Sequence, residues 1–324
     1  MTCAMTCPPT ILLAALLLAA PPAPAPAAGV AQAGSPAQPS LPADPALTAA
    51  ENLIGKALFL RGSYAPNNLA YDSTGRVEGT PKATDWTLAA VNVLKATRRA
   101  PDTIELEGVR VAIRYNPDAH EFQRHALNDE KMKLLIQILP GDADATRQIN
   151  AAFAAIFSIG IDPALQRSMP PLWRHYFDPT LPWSTTIPSP SSNANPGAGA
   201  ITESSSPPDP LASQTIYPIP PLPPLPGPPA QIVPPVLTHQ TSSQYTSAAR
   251  NDKVQGTVQL RLVVDAQGTP QRIAVNHPLG YGLDQQAAEA VAKWRFSPAL
   301  RAGQPVASTI LVNIDFATAP SPPR

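Results

Sequence analysis

The chain has 324 residues, with 23 basic and 23 acidic residues and a formal net charge of zero. A balanced charge gives no basic surface for nucleic acid and no attraction to an anionic membrane, so neither is an expected partner. Both cysteines, Cys3 and Cys7, lie among the first ten residues, so the rest of the chain has no thiol for a disulfide, a nucleophile or a metal site.

The N-terminal segment has the pattern of a secretory signal peptide. Residues 11–20 are a run of ten apolar or small residues, about half the length that a membrane-spanning helix needs. Ala31-Gln32-Ala33 follows and is typical of a cleavage site. We therefore predict a signal peptide over residues 1–33, export to the periplasm, and a disordered segment over residues 34–45. Residues 1–10 contain no Lys or Arg, so a membrane-anchored form with an uncleaved signal is the alternative.

Residues 46–183 are predicted to form a β-rich α+β domain of unknown function, because they are long enough for a core of their own. Apolar residues recur at the period of a strand in segments that begin at Ala57, Asn67, Ile104, Val109 and Met132. The phase of the alternation changes at Gly108, which predicts a bulge or a tight turn. Asp142 is predicted to cap a helix whose apolar positions are Ile149, Phe153, Ile156 and Phe157.

Three groups of residues in this region have side chains that could bind a metal, catalyse a reaction or bind a ligand. Each group is nevertheless predicted to have a structural role. His120 and His125 are five apart, whereas a metal-binding pair on a helix needs three or four, so a polar surface loop is expected. Glu105 and Glu107 share a strand face, as a glycosidase pair can, but a solvated face is expected. Residues 173–177 are aromatic and are expected to dock on their own domain. We predict no catalytic residue, metal site or cofactor.

Residues 184–237 are predicted to be a Ser/Pro-rich linker. Residues 189–206 are rich in serine, asparagine, alanine and glycine, and proline fills more than half of the positions from 218 to 235. Such a composition cannot build a core. At about 3.1 Å per residue, the proline-dense part is expected to be a polyproline II spacer of roughly 55 Å, and the Ser-rich part is expected to be flexible. The fold class is therefore α+β, with two domains joined by a Pro-rich linker.

Residues 238–317 are predicted to form a ββαβ domain, followed by a disordered tail over residues 318–324. The first strand carries apolar residues on one face and mostly polar residues on the other: Val258, Leu260, Leu262 and Val264 alternate with Thr257, Gln259, Arg261 and Val263. Turn residues 265–268 lead into a second strand through Ile273 and Val275.

A helix and a third strand complete this pattern. The helix has an apolar stripe of Leu283, Ala287, Val291 and Trp294, with Asp284 expected to cap its start and Pro298 to stop it. The third strand is predicted from the alternation of Ile310, Val312, Ile314 and Phe316 with polar neighbours. Tyr281 and Trp294 are expected in the core.

Three stretches of this region, in order and nearly in spacing, resemble the C-terminal domain of the TonB family: residues 255–265, Leu279-Gly280-Tyr281-Gly282-Leu283-Asp284, and Trp294-Arg295-Phe296-Ser297-Pro298. The resemblance covers about residues 240–317. It implies a partner, a peptide segment near the N-terminus of an outer-membrane TonB-dependent receptor, and inner-membrane motor proteins as further partners. The implied contact positions are Thr309, Ile310, Leu311, Val312, Asn313 and Ile314, with Gln244 and Tyr245.

Residues 46–183 look like the segment that precedes the TonB-type domain in some exported TonB-like proteins. The resemblance is carried by Ala57-Leu58-Phe59-Leu60-Arg61-Gly62, Glu107-Gly108-Val109-Arg110 and Ile113-Arg114-Tyr115-Asn116-Pro117. It implies no activity.

An open sheet edge can accept an extended peptide as an added strand, which favours docking at residues 309–314. The alternative is that this strand only completes its sheet or pairs with a second copy in a homodimer. We favour a periplasmic docking protein that supports energy-coupled uptake and is not an enzyme. Two alternatives stay open. The protein could be an envelope scaffold with no transport role, or its N-terminal domain could bind a ligand or be an enzyme that the TonB-like domain directs to its location.

Overall fold

The described parts of this computed structural model are residues 44–138, 145–183, 209, 211–219 and 232–317. The predicted signal peptide, Asp142, most of the predicted linker and the predicted tail lie outside these residues. Within the described ranges, none of the helices combines the length and the apolar character that crossing a membrane requires.

The N-terminal region is β-rich, as predicted. Its elements are α1 (Pro45–Glu51), β1 (Leu58–Leu60), β2 (Asn68–Tyr71), β3 (Ala90–Ala100), β4 (Thr103–Asn116), β5 (Glu121–Gln137), α2 (Ala145–Ile156), β6 (Phe157–Ile159), α3 (Pro163–Ser168) and α4 (Pro171–Phe177). The strands form one sheet in the order β2-β5-β4-β3-β1-β6. The long antiparallel β3, β4 and β5 form its centre, and β2 joins β5 in parallel.

The predicted irregularity at Gly108 has a different form in the structure. Gly108 lies inside β4 and not in a turn, and the register shift falls on the facing strand, between Val93 and Lys95. A Cβ atom at position 108 would lie 2.3 Å from the carbonyl oxygen of Asn92. Glycine is therefore required at position 108, because β3 approaches β4 closely there, beside the bulge in β3.

The C-terminal region contains the predicted ββαβ elements together with several short strands. Its elements are β7 (Tyr217–Pro218), β8 (Ile232–Val233), β9 (Val236–His239), α5 (Ser247–Asn251), β10 (Gly256–Val264), β11 (Pro270–His277), α6 (Leu283–Val291), β12 (Arg295–Ser297), β13 (Ala299–Arg301), β14 (Gln304–Val306) and β15 (Ser308–Phe316). The main sheet has the order β11-β10-β15-β7. β10 pairs antiparallel with both β11 and β15, which confirms the predicted hairpin and third strand.

Helix α6 covers the apolar face of this sheet. Leu283, Ala287 and Val291 are fully buried, and Trp294 just beyond the helix is also buried, as the helical spacing predicted. The predicted helix limits were wrong. Gly282 in a left-handed conformation precedes the first turn, where no side chain caps the helix, and the helix ends at Val291, well before Pro298.

The N-terminal and C-terminal regions share one hydrophobic cluster. Trp86, Ile113 and Trp173 of the first region pack in the same cluster as Leu260, Leu283 and other residues of the second region. Helix α4 lies against β11. The aromatic segment 173–177 docks on its own region, as predicted, since the Trp173 ring packs edge-on against Trp86 with ring centroids 5.2 Å apart, and the segment also lies where the two regions meet. The predicted layout of two domains joined by a linker is not confirmed, because these regions form a continuous core.

Candidate functional site

The candidate docking strand, β15, is bonded along its whole length on one side. It pairs with β10 without a bulge, from Ser308 opposite Val264 to Phe316 opposite Gly256. Ile314 and Phe316 are buried in the core, and Ile310 and Val312 are partly buried against it. The apolar side chains therefore hold β15 in place, and its other backbone edge is the side that a partner could use.

The hydrogen-bonding direction of each residue in β15 follows from its neighbours. Ala307 and Thr309 accept hydrogen bonds through their carbonyl oxygens from residues on the side away from β10. Peptide groups alternate in direction along a strand. Leu311 and Asn313 therefore direct their backbone groups to the outer edge, whereas Val312 directs its groups to β10. Among the described strands, none pairs with β15 beyond Thr309 on that outer edge.

The solvent face of β15 is polar except at one position. Thr257 Oγ1 donates to Asp315 Oδ1 at 2.7 Å, and Gln259 Nε2 donates to Asn313 Oδ1 at 2.9 Å. Leu311 is the next residue on this face after Asn313, lies opposite Arg261 and is 48% exposed. Cross-strand bonds thus fix the orientation of β15, and Leu311 adds an apolar contact point beside its free backbone groups.

The first residues of β15 are already paired with a segment of the same chain. β7 lies parallel to β15, with Tyr217 opposite Ser308 and Pro218 opposite Thr309. The Tyr217 amide donates to the Ala307 carbonyl at 3.0 Å, and the Ile219 amide donates to the Thr309 carbonyl at 3.3 Å. Of the six positions predicted to contact a partner peptide, Thr309 is therefore partly occupied.

The other two predicted contact residues differ in their surroundings. The Tyr245 ring packs edge-on against Phe316 with ring centroids 5.3 Å apart, and its hydroxyl donates to the Val254 carbonyl at 3.2 Å. Gln244 is exposed. Tyr245 thus supports the C-terminal end of β15 from the core side, and Gln244 is the member of this pair that a partner could reach.

The Leu279-Gly280-Tyr281-Gly282-Leu283-Asp284 motif is the place where the two regions join. The Tyr281 amide donates to the Ile113 carbonyl at 2.9 Å, and the Tyr115 amide donates to the Leu279 carbonyl at 3.1 Å, so the motif adds to β4 as a short antiparallel bridge. Gly280 has φ +92°, and a Cβ atom there would lie 2.1 Å from the Ile113 carbonyl oxygen. The close approach excludes any larger residue.

Asp284 is buried at this junction and does not cap the helix. Its carboxylate accepts the backbone N–H groups of Leu279 at 2.9 Å and Gly280 at 2.7 Å, which closes the motif into a loop. Burial, and after it the nearby Asp85 carboxylate, raise the pKa of Asp284 to about 7 against the opposing effect of the backbone hydrogen bonds. A carboxyl of this kind titrates near neutral pH.

A second buried carboxyl, Asp85, connects the junction to the N-terminal region. Its carboxylate accepts Trp173 Nε1 at 2.9 Å and the Thr87 amide at 2.8 Å, and burial raises its pKa. Thr87 Oγ1 in turn accepts the Gly282 amide at 2.7 Å. Neither Asp85 nor Thr87 was predicted from the sequence, because an isolated Asp-x-Thr is also typical of an ordinary turn.

The candidates for chemistry in the N-terminal region do not form a catalytic or metal site in the described parts of the chain. Glu105 was predicted to be solvated but is buried, with ion pairs to Arg99 at 3.1 Å and Lys133 at 3.4 Å. His125 was predicted in a loop but lies on β5, whereas His120 precedes that strand. Within the described residues no three His, Cys, Asp or Glu side chains are grouped to hold a metal ion.

Comparison with known proteins agrees with the geometry of the C-terminal region. The family described as "Gram-negative bacterial TonB protein C-terminal" matches residues 241–318. The chain is 36% identical over 84 residues to Protein TonB of Vibrio cholerae, covering 26% of this chain and 34% of that protein. It is 38% identical over 79 residues to Protein tonB2 of Pseudomonas aeruginosa, covering 24% and 29%.

The matched part spans about a third of the length of these curated relatives. A solution NMR structure of the Pseudomonas aeruginosa TonB C-terminal domain is 21% identical, with 26% of this chain and 90% of that chain covered and a TM-score of 0.22. The family match runs from just before α5 to just after β15.

Proposed function

Because residues 241–318 form a TonB-like C-terminal domain, we propose that this protein docks on TonB-dependent transporters of the outer membrane from the periplasm and supports energy-coupled uptake. The docking site is the outer edge of β15, and the mode is the addition of an extended transporter peptide as a further strand. The same family relation makes inner-membrane motor proteins the candidate source of energy.

One observation carries this proposal. β15 is held rigidly by nine paired positions on β10, yet beyond Thr309 its outer edge pairs with no strand among the described residues. An edge of this kind offers fixed backbone donors and acceptors, which a flexible peptide can meet without any rearrangement of the sheet. Leu311 supplies an exposed apolar side chain at its centre.

The expected affinity is low. Each main-chain hydrogen bond contributes a net of about 0.5–1.5 kcal/mol, so that four to six such bonds, less the cost of ordering a flexible peptide, correspond to a Kd of about 1 μM or weaker. Weak and reversible binding suits a protein that engages a transporter transiently.

A pair of substitutions at Leu311 tests the proposal. Leu311→Pro removes the outward N–H and places a ring over the edge, whereas Leu311→Ala removes a similar side chain and keeps the N–H. Synthetic peptides covering the N-terminal periplasmic segments of TonB-dependent transporters from the same genome serve as probes, with affinity read by fluorescence anisotropy. We expect the proline variant to lose binding by at least about tenfold and the alanine variant by about threefold or less.

Val312 is the wrong position for this test, because its amide faces β10 and a proline there would damage the sheet itself. Equal binding by the proline and alanine variants at Leu311, with both variants folded by circular dichroism, would rule out docking at this edge. If no transporter peptide binds the wild-type protein, a scaffolding role is favoured, since the continuous core between the two regions would suit a rigid structural protein.

Export is tested separately from docking. We expect a C-terminally tagged protein to fractionate with the periplasm, with a mature N-terminus at Gly34. A membrane-retained form with an intact N-terminus would contradict cleavage and would favour the membrane-anchored alternative.

A further inference from the structure

A short segment of the predicted linker is fastened to the C-terminal sheet. We call residue 209 together with residues 211–219 the strap. The Asp209 carboxylate forms a salt bridge with Arg272, whose Nε lies 3.0 Å from Asp209 Oδ2. Leu211 is buried against Val263 and Ala307 in a small cluster of its own. Val263 was predicted on the polar face of its strand, and it is buried because the strap covers it.

The last residues of the strap lie on the edge proposed for docking. The Arg301 guanidinium lies over the Tyr217 ring at 4.8 Å and donates to the Tyr217 hydroxyl. The amides of Tyr217 and Ile219 then donate to the carbonyls of Ala307 and Thr309. The strap therefore uses the same kind of main-chain bond that an incoming peptide would use.

The sequence explains why the strap covers only the start of β15. In an extended segment every second amide faces the same neighbour, so after Tyr217 and Ile219 the next donor toward β15 would be residue 221. Residue 221 is proline, which has no N–H to donate. A strap that continued in the same register would have no amide to donate to the Leu311 carbonyl, and among the described strands none pairs with the outer edge of β15 beyond Thr309.

We propose that the strap is an intramolecular competitor for the docking edge, and that a transporter peptide must displace Tyr217 and Ile219 to bind along the full length of β15. This inference rests on the proposed function. Competition centres on Thr309, because its outward carbonyl accepts the Ile219 amide and cannot offer the same bond to a peptide. The open edge from Leu311 onward is where the peptide makes its first contact, and displacement of the strap follows.

Displacement has a measurable consequence for affinity. The apparent Kd of a peptide equals its intrinsic Kd divided by the fraction of molecules with a free edge. If the strap is closed in about nine molecules of ten, releasing it tightens peptide binding about tenfold. The strap stays tethered through Asp209 and Leu211, so it rebinds as soon as the peptide leaves.

The test uses the full chain with Ile219→Pro, which removes one strap donor, and Ile219→Ala as the matched control. Two probes are titrated: the transporter peptides described above and a labelled peptide that copies residues 211–220 of this chain. Hydrogen exchange of the Tyr217 and Ile219 amides is measured without and with peptide, and thermal unfolding checks that each variant folds.

We expect both amides to be protected in the wild type and to exchange faster when a transporter peptide binds. Ile219→Pro should bind both probes about tenfold more tightly than the wild type, and Ile219→Ala about as the wild type does. Equal affinity of all three proteins, or strap amides that stay protected in the complex, would overturn the competition and leave docking intact. If the transporter peptides bind none of the proteins, the proposed function fails and the competition fails with it.

Discussion

The buried carboxyl of Asp284 should make the stability of this protein depend on pH in an unusual direction. Asp284 is completely buried, and its pKa is raised from 3.8 to about 7. A raised folded-state pKa means that the folded protein holds a proton that the unfolded chain releases. The contribution of Asp284 to the free energy of unfolding is therefore fully present below about pH 4 and is lost as the pH rises toward 7.

The size of the effect follows from the same two values. A difference from 3.8 to about 7 corresponds to about 4 kcal/mol of unfolding free energy, as an order of magnitude. Asp284→Asn removes the titration but keeps the shape of the side chain. At low pH, where wild-type Asp284 is protonated, the substitution costs about 1–3 kcal/mol, because an amide can accept only one of the two N–H groups of Leu279 and Gly280 without placing its NH2 group against the other.

The assay is urea unfolding of the wild type and the variant from pH 4 to pH 8. We expect the difference between their unfolding free energies to move in favour of the variant by about 4 kcal/mol across this range. Comparison with a variant cancels the contribution of other carboxyls such as Asp44, whose pKa is lowered by its hydrogen bond to Arg98. A difference that stays constant with pH would refute the reasoning. Asp85→Asn provides a second check, since it should lower the pH at which wild-type Asp284 titrates.

Four further variants probe other parts of the structure. Gly280→Ala should cost at least about 3 kcal/mol of thermal stability, because its Cβ would lie 2.1 Å from a β4 carbonyl, while Gly303→Ala, in open space, should cost about 1 kcal/mol. Arg110→Ala should cost about 3 kcal/mol in urea unfolding, because its guanidinium donates to three backbone carbonyls and an asparagine; a loss below about 1 kcal/mol would contradict this. Leu211→Ala should raise the hydrogen-exchange rate of the Tyr217 amide about thirtyfold without changing the global melting temperature, and an unchanged rate would show that the strap is held elsewhere.

The strands of the C-terminal sheet were predictable because, within each strand, apolar and polar residues alternate along the sequence. The run from Val258 to Val264 and the run from Ile310 to Phe316 carry one apolar face each, and a strand with one buried face needs no distant information to be recognised. The choice of β15 as the proposed docking strand was inferred from the predicted order of the elements. The sequence did not predict which backbone amides of β15 face away from β10, because this direction depends on how β15 is paired with β10. The structure shows that Leu311, and not Val312, presents its amide to the edge.

The contacts between distant segments were not predictable. The proline-rich composition around the strap indicated a chain without a core, and the burial of Leu211 depends on Val263, which lies far away in sequence. The same is true of the junction, where Thr87 accepts a single hydrogen bond from Gly282 and its own amide donates to Asp85. Isolated polar residues have no periodicity, so sequence analysis cannot distinguish a residue that joins two regions from one in an ordinary turn.

The prolines of the strap also affect how this protein behaves at high concentration. Because Tyr217 and Ile219 direct their amides to β15, position 218 faces the opposite way, and there the chain has a proline with no N–H. A proline on the outward side removes a donor that a further strand would need. Where the strap is seated, the growth of the sheet by adding molecule to molecule is therefore hindered, and the stretch around Leu311 that we propose for docking is the part of this edge where aggregation is expected to begin.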